Sequence, residues 1–117
     1  MSEEEIPEKI TRKIGFKPEP MSIVVKVDRD FARLYGLCDD VIVKDSALPA
    51  KYKMLLVMCI GAVRMCYDCV VQSMRAALNL GATREEILEA LKVAFAASGA
   101  QTLQAAKKAL ENLMREE

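Results

Sequence analysis

Two cysteines three positions apart, Cys66 and Cys69, are the residues whose type and spacing could do chemistry together. On a helix this spacing places the two thiols about one turn apart, close enough to close a small disulfide loop after a modest backbone adjustment. One interpretation is a pair that alternates between dithiol and disulfide. The other is a pair of small apolar residues packed inside a helix, because free cysteine is among the most frequently buried residue types.

The composition removes several other kinds of chemistry. The chain has 117 residues and no histidine, which excludes imidazole bases, Cys-His nucleophile pairs and histidine-containing metal sites. A four-cysteine zinc site usually draws on two close cysteine pairs, and this chain offers one. We therefore expect no metal ion and no cofactor.

The charge balance gives no sign of a nucleic-acid or membrane partner. Lysine and arginine together number 17, as do aspartate and glutamate, so the formal net charge is zero and an anionic polymer or lipid surface would not be attracted. The N-terminus is acidic, unlike the basic start of a signal peptide. The longest uncharged apolar run, residues 54–63, is too short to span a bilayer. We expect a cytoplasmic protein.

The elements that hold the cysteine pair are predicted to be all-α. Hydrophobic residues make up 52% of the chain and aromatic residues only 5%, a composition typical of close-packed helices. Residues 1–20 are predicted to be a loosely attached lead-in with a short helix near 7–14 that Gly15 ends, extended at Pro18 and Pro20. Residues 21–117 are predicted to form the helical domain.

The first part of that domain carries one ambiguous segment. Residues 21–27 are rich in β-branched side chains, but no second strand is available to pair with them, so we favour a helix. Asp28 is a predicted N-cap for a helix that runs towards Val43. Residues 44–49 form a turn, with Pro49 in the first turn of the next helix. The inward residues expected of the helix after Asp28 are Phe31, Leu34, Tyr35 and Cys38.

A break is predicted close to the cysteine pair. Residues 50–80 are helical almost throughout, which is long for a globular domain, so we expect an interruption near Gly61 or just ahead of Cys66. Gly81 ends this stretch as a left-handed residue. Residues 83–86, Thr-Arg-Glu-Glu, form a capping box that opens the following helix.

Apolar spacing predicts which side chains of the remaining helices face the core. In the helix after the capping box these are Ile87, Leu88, Leu91, Ala94 and Phe95. A turn at Ser98-Gly99 precedes the last helix, whose predicted inward residues are Leu103, Ala106, Leu110 and Leu113. The helically spaced methionines Met54, Met58 and Met65 predict core or subunit interface, and Cys59 and Cys38 are predicted to fill the core.

Three stretches resemble one known family. They are residues 48–53 (Leu-Pro-Ala-Lys-Tyr-Lys), the Cys66-Tyr-Asp-Cys69 pair, and residues 75–87 (Arg-Ala-Ala-Leu-Asn-Leu-Gly-Ala-Thr-Arg-Glu-Glu-Ile). From Ala47 onward the sequence is similar to the carboxymuconolactone decarboxylase-like superfamily, and within it to the AhpD-like alkylhydroperoxidase branch. The resemblance implies an all-helical bundle with a single repeat that assembles as a homotrimer or homohexamer. It also implies a cysteine pair that cycles between dithiol and disulfide, with Cys69 attacking and Cys66 resolving.

The chain departs from that branch at two positions. The branch has a histidine four residues after the second cysteine, where this chain has Ser73. It also has a glutamate twelve residues before the first cysteine, where this chain has Met54. Two of the four usual members of the proton relay are therefore absent. The decarboxylase branch relies on histidine as well, so decarboxylation is the less favoured activity.

The residues around the pair leave open which cysteine attacks. The thiolate is the reactive form, and a helix that begins near Met65 would favour a thiolate at Cys66 through its N-terminal amides. Arg64 could assist a thiolate, whereas Asp68 would disfavour a second negative charge nearby. Three further side chains could hydrogen-bond a thiolate without being bases at neutral pH: Tyr67, Gln72 and Ser73.

Two functional hypotheses follow. The first is a thiol–disulfide redox protein or weak alkylhydroperoxidase that uses Cys66 and Cys69, with a thiol or hydroperoxide as substrate and a reducing protein as partner. Its turnover would be slow, because a positioned base typically contributes 10²–10⁴-fold. The alternative is a non-catalytic member of the family, an oligomeric helical protein that binds a small apolar ligand or another protein.

Overall fold

The computed structural model describes residues 6–15 and 19–115. Over these residues the chain forms seven α-helices and no strand, which confirms the predicted all-α fold. None of the described helices has the length and apolar character needed to cross a membrane. The helices are α1 (Ile6–Ile14), α2 (Glu19–Val27), α3 (Arg29–Val43), α4 (Ala50–Val63), α5 (Tyr67–Asn79), α6 (Arg84–Ser98) and α7 (Gln101–Arg115).

Two predicted N-caps are confirmed in atomic detail. Asp28 precedes α3, and its carboxylate accepts hydrogen bonds from the backbone N–H groups of Asp30 and Phe31 at 3.0 and 3.2 Å. The capping box of α6 is complete. The Thr83 hydroxyl accepts from the Glu86 N–H at 3.1 Å, and the Glu86 carboxylate accepts from the Thr83 N–H at 2.8 Å. These bonds satisfy backbone donors that the first turn of a helix leaves unpaired.

Gly81 ends α5 in the predicted left-handed conformation, with φ +100°. The N–H of Gly81 donates to the Leu78 carbonyl at 3.1 Å and the N–H of Ala82 donates to the Ala77 carbonyl at 2.9 Å. This pair of bonds is a Schellman motif, which satisfies the last carbonyls of the helix.

The predicted interruption lies just ahead of Cys66. Helix α4 ends at Val63, and Met65 has a positive φ of 59°. The N–H of Met65 donates to the Ala62 carbonyl at 3.2 Å and that of Cys66 donates to the Gly61 carbonyl at 2.9 Å. The end of α4 therefore repeats the Schellman arrangement with a methionine at the position that usually carries glycine.

The core is built where α4, α5 and α7 pack together, with α6 against α4 and α7. Met54 and Met58 are buried, as predicted, and Met65 is half-buried against the core. Small side chains allow the helices to approach closely. The buried alanines of this cluster are Ala62, Ala76, Ala77, Ala82, Ala105, Ala106 and Ala109.

Several predicted core residues lie on the surface instead. On α3, Phe31 and Leu34 are 54% and 60% exposed and Cys38 is exposed. The reason is that α3 packs through a stripe that includes the smaller Ala32, Gly36 and Val43, and this stripe turns the larger apolar residues outward. Tyr35 is half-buried beside that stripe.

Helices α6 and α7 also bury faces that differ in part from the predicted ones. Phe95 and Leu103 are exposed, against prediction, whereas Ile87, Leu91 and Ala94 are buried as predicted. Helix α7 packs through Thr102 and its alanines, so its buried face lies to one side of the face predicted from its leucines. Of the predicted inward residues of α7, Ala106 and Leu113 are buried and Leu110 is half-buried.

The N-terminal part needs three corrections. Helix α1 forms as predicted, but it packs on α3 and α5 rather than lying loosely, and Ile14 is buried. Pro20 lies in the first turn of α2, where its missing N–H costs no helical hydrogen bond, and is not extended. Pro49 is the N-cap of α4, one position before the predicted one. Residues 1–5 and 16–18 of the lead-in, Pro18 among them, lie outside the described residues.

Candidate active site

The cysteine pair lies at the start of α5. Cys66 is the N-cap residue of this helix, and Cys69 lies in its first turn. The two sulfur atoms are joined in a disulfide, with the Cα atoms 5.2 Å apart, within the ordinary range for a disulfide. The sequence spacing therefore brings the two thiols within bonding distance.

Cys69 borders a small cavity of about 200 Å³ between α1, α3, α4 and α5. Each of these helices supplies part of its wall. The apolar wall residues are Ile14, Ile42, Val43, Met54, Val57 and Ala76, and the residues with polar groups are Tyr35, Asp39, Cys69, Gln72 and Ser73. A mainly apolar cavity with a few converging polar groups is the usual form of a small-molecule site.

The predicted site residues divide into two groups. Cys69, Met54, Gln72 and Ser73 line the cavity together. The other group does not border it: Cys66 caps the helix, and Arg64, Tyr67 and Asp68 are exposed. Arg64 borders a different, apolar groove between α4 and α6.

Ser73 occupies the position at which the resemblance implies a histidine. Its side chain is only 4% exposed, and its hydroxyl donates to the backbone carbonyls of Cys69 and Val70 within its own helix. Serine and threonine commonly make such bonds in helices. The hydroxyl hydrogen is therefore directed to the backbone and not to a sulfur atom.

Asp39 is a cavity residue that the sequence analysis missed. It lies on the inward stripe of α3 with Ala32, Gly36 and Val43, at spacings of four, three and four residues. Burial disfavours the charged carboxylate, and the neighbouring Asp40 adds like-charge repulsion, so that the pKa of Asp39 is raised to about 6. The stripe itself was the signal that could have identified this residue.

Tyr35 lies one turn before Asp39 on the same helix. Burial raises the pKa of the Tyr35 phenol, and the charge of Asp39 raises it further. The phenol consequently stays neutral at physiological pH and can donate a hydrogen bond. A neutral donor and a carboxylate that titrates near neutrality thus face the cavity that Cys69 borders.

The two remaining cysteines are free thiols that do not border this cavity. Cys59 is half-buried, and its thiol donates a hydrogen bond to the Ala90 carbonyl at 3.3 Å. Burial raises the pKa of the Cys59 thiol. Cys38 is exposed, which corrects its predicted place in the core. Within the described residues, no three acidic, cysteine or histidine side chains are grouped so that they could hold a metal ion.

The fold and the sequence together define the class of protein. The model of the carboxymuconolactone decarboxylase family matches residues 29–112, so the chain belongs to this family. The match includes α3 to α6 and most of α7, and so covers both Asp39 and the cysteine pair.

Three solved structures share this fold. A proposed carboxymuconolactone decarboxylase from Burkholderia xenovorans LB400 is 20% identical, with 97% of this chain and 96% of that chain covered and a TM-score of 0.78. A family protein from Legionella pneumophila is 28% identical over 93% of this chain and 91% of that chain, with a TM-score of 0.72.

The third solved structure is a family protein from Thermotoga maritima for which involvement in an antioxidative response has been suggested. It is 27% identical over 74% of this chain and 91% of that chain, with a TM-score of 0.65. Among curated proteins no sequence matches this chain significantly.

Proposed function

We propose that the protein is a thiol–disulfide redox protein of the AhpD-like branch, which reduces hydroperoxides slowly. The observation that supports this most directly is the Cys66–Cys69 disulfide at the start of α5, with Cys69 bordering a mainly apolar cavity. The cavity has room for a small organic hydroperoxide. A pair of cysteines packed only as core would not need a cavity beside it.

The chemistry consists of one oxidation by the hydroperoxide, a condensation that forms the disulfide, and one reduction. The Cys69 thiolate attacks the terminal peroxide oxygen, the O–O bond breaks, and a sulfenic acid and an alcohol form. Cys66 then attacks the Cys69 sulfur, which forms the disulfide and releases water. A dithiol on a reducing protein partner returns two electrons by exchange, through a mixed disulfide.

The cavity supports Cys69 as the attacking residue. Both cysteines lie at the start of α5, where backbone N–H groups favour an anion, so this effect does not distinguish them. The distinction is that Cys69 borders the cavity, whereas Cys66 does not. Cys66 then serves as the resolving thiol, as the family resemblance implies. The suggested antioxidative role of the Thermotoga maritima protein agrees with this proposal.

Self-association as a homotrimer or homohexamer is part of the proposal. Helices α2 and α3 present large apolar side chains to solvent, and buried apolar surface is the main driving force for association. These side chains are Ile23, Val27, Phe31, Leu34, Leu37 and Val41. Sedimentation of the double variant L34E/L37E should show smaller species than the parent protein, whereas Q104E on the exposed face of α7 should not. A parent protein that sediments as a monomer would contradict this part.

The redox proposal is tested by titration of the native protein in a dithiol/disulfide redox buffer, with the Cys66–Cys69 bond followed by mass. A C38S/C59S background leaves only the pair to react. We expect a reversible two-electron transition between about −180 and −300 mV. On addition of tert-butyl hydroperoxide to the reduced protein, the disulfide should form, and C69S should prevent peroxide-dependent oxidation at Cys66.

Two results would contradict the proposal. One is the absence of a bond at any potential, which would leave the pair as core residues and favour the binding-protein alternative. The other is peroxide-dependent thiol oxidation that C69S leaves unchanged.

A further inference from the structure

We propose that Asp39 is the proton acceptor for the Cys69 thiol, in place of the histidine and glutamate that this chain lacks. The inference rests on the proposed redox function and names a further catalytic group for it. It is carried by the position of Asp39 on the wall of the cavity that Cys69 also borders.

Asp39 reaches this cavity from a different part of the chain than the residues it would replace. It lies on α3, on the stripe that packs inward, whereas Ser73 is on α5 and Met54 on α4. Among the described residues that border the cavity, Asp39 is the one that carries a carboxylate. Neither Met54 nor Ser73 can accept a proton at neutral pH.

Among the described residues, the lysines of α1 and α4 that are paired in the structure have partners other than Asp39. Lys9 of α1 pairs with Asp40, and Lys13 of α1 pairs with Asp45. On α4, the Lys53 ammonium donates to the Val41 and Lys44 carbonyls. Lys51 of α4 pairs with Glu86. Tyr35 borders the same cavity as Asp39, and Arg12 borders the adjoining polar cleft. Further charged side chains on the described parts of α1, α2 and α3 are exposed: Glu8, Lys26, Arg29, Asp30 and Arg33.

This environment raises the pKa of Asp39 into the range in which a carboxylate is an effective general base. With a pKa near 6 the group is roughly nine tenths ionised at pH 7, yet it binds a proton more readily than an ordinary aspartate does. General bases work best when their pKa lies close to the operating pH. An exposed carboxylate would be too weak a base for a thiol.

The proton balance is complete with a hydroperoxide as co-substrate. The Asp39 carboxylate takes the S–H proton as the Cys69 sulfur attacks the peroxide oxygen, and the S–O bond forms while the O–O bond breaks. Sulfur loses two electrons and the peroxide gains them. The departing alkoxide takes the proton from Asp39 and leaves as the alcohol, which restores the carboxylate.

A purely electrostatic role for Asp39 would have the opposite effect. A fixed negative charge near the thiol disfavours the thiolate, so its removal would speed the reaction. Removal of a proton acceptor slows it. The sign of the change in the D39N variant therefore separates the two roles.

The experiment measures the rate at which tert-butyl hydroperoxide forms the Cys66–Cys69 disulfide in the full chain between about pH 4.5 and 8. The reduced C38S/C59S protein is compared with the same protein carrying D39N or D40N. We expect the parent rate to rise through an inflection near pH 6. D39N should lose this inflection and react about 10²-fold more slowly at pH 7.

D40N is the matched control, since it removes the neighbouring carboxylate that pairs with Lys9. It should keep the parent rate at pH 7. Its inflection should move to lower pH, because the like charge that raises the pKa of Asp39 is gone. This shift is measurable even if D39N fails to fold.

Three results would overturn the inference: a D39N rate at pH 7 equal to or above the parent rate, an inflection that survives in D39N, or an inflection that D40N leaves in place. In each of these the parent protein still forms its disulfide, so the redox function stands. If the parent protein forms no disulfide with hydroperoxide, the proposed function fails and the inference fails with it.

Discussion

Gly61 of α4 and Cys69 of α5 lie so close that a methyl group on Gly61 would be 3.0 Å from the Cys69 Cβ. This distance is shorter than ordinary van der Waals contact. The crossing of the two helices thus depends on the missing side chain at Gly61, and it places the first turn of α5 against α4. The cysteine pair therefore lies where α4 and α5 are closely packed.

We expect G61A to destabilise the reduced protein by about 1–2 kcal/mol. Overpacking of this kind costs more than the gain in helix propensity from glycine to alanine. Denaturant unfolding under reducing conditions measures the loss without a contribution from the disulfide.

A double-mutant cycle with C69G identifies the contact responsible. Removal of the Cys69 Cβ should relieve the crowding, so the two substitutions together should cost less than the sum of their separate effects. Strict additivity would show that the strain of G61A lies elsewhere.

S73A tests whether Ser73 has taken over the role of the missing histidine. Because its hydroxyl donates to the Cys69 and Val70 carbonyls, we expect the rate of peroxide-driven disulfide formation to change by less than about threefold. The free energy of unfolding should change by less than about 1 kcal/mol. A tenfold or greater loss of rate with an unchanged thermal midpoint would instead mean that the hydroxyl acts on a sulfur atom.

The half-buried carboxylate of Asp39 should reduce stability at neutral pH. Its pKa is raised in the folded protein from the ordinary value of 3.8 to about 6. The folded state therefore holds this proton more tightly, and the associated stability is present below about pH 4 and is lost as the pH rises to 6. At pH 7 the folded protein bears the full cost of the charge.

Thermal unfolding of oxidised D39N and its parent measures this cost. We expect D39N to be the more stable at pH 7 by about 1 kcal/mol, after allowance for the water that still reaches this carboxylate. The difference should shrink towards pH 4. An advantage that does not depend on pH would indicate a packing effect and not a charge effect.

Glu86 should stabilise the protein with the opposite pH dependence. Its carboxylate accepts from the Thr83 N–H, and it also pairs with Lys51 of α4 at 3.3 Å. These contacts, the backbone bond foremost, lower the pKa of Glu86 below its ordinary value of 4.5. The stability it contributes is therefore present above pH 4.5 and is lost as the pH falls through the lower folded value.

E86Q should accordingly lower the thermal midpoint at pH 7 and have a smaller effect near pH 3. T83A, which removes the reciprocal half of the capping box, should cost about 1 kcal/mol at both pH values. If E86Q lowers the thermal midpoint equally at pH 7 and near pH 3, the charge of Glu86 does not contribute to stability.

The ends of the helices were easier to predict from the sequence than the face that each helix buries. The caps at Asp28 and Thr83, the left-handed Gly81 and the break ahead of Cys66 depend on neighbouring residues only, and the structure confirms each. The face that a helix buries depends on its partners. In α3 the partners fit against small residues, so Phe31 lies outside.

The same limit explains why the cysteine pair was found and Asp39 was not. Cys66 and Cys69 lie one turn apart on a single helix, so their spacing alone brings them together. Asp39 and Cys69 are 30 positions apart and border the same cavity only because α3 packs on α4 beside α5. In the sequence, only the stripe of Ala32, Gly36 and Val43 distinguishes Asp39 from Asp40, and the larger apolar residues of α3 indicated a different face. In the structure Asp39 borders the cavity, whereas Asp40 pairs with Lys9.

The backbone around the break between α4 and α5 fixes the position of Cys66. The N–H of Cys66 is tied to the Gly61 carbonyl and the carbonyl of Cys66 to the Val70 N–H, so main-chain bonds hold Cys66 independently of the sulfur–sulfur bond. Opening the disulfide then requires side-chain rotation and little movement of the helices. In the proposed redox function, the oxidised and reduced forms would then have nearly the same surface. A reducing partner would distinguish them only by direct contact with the sulfur atoms.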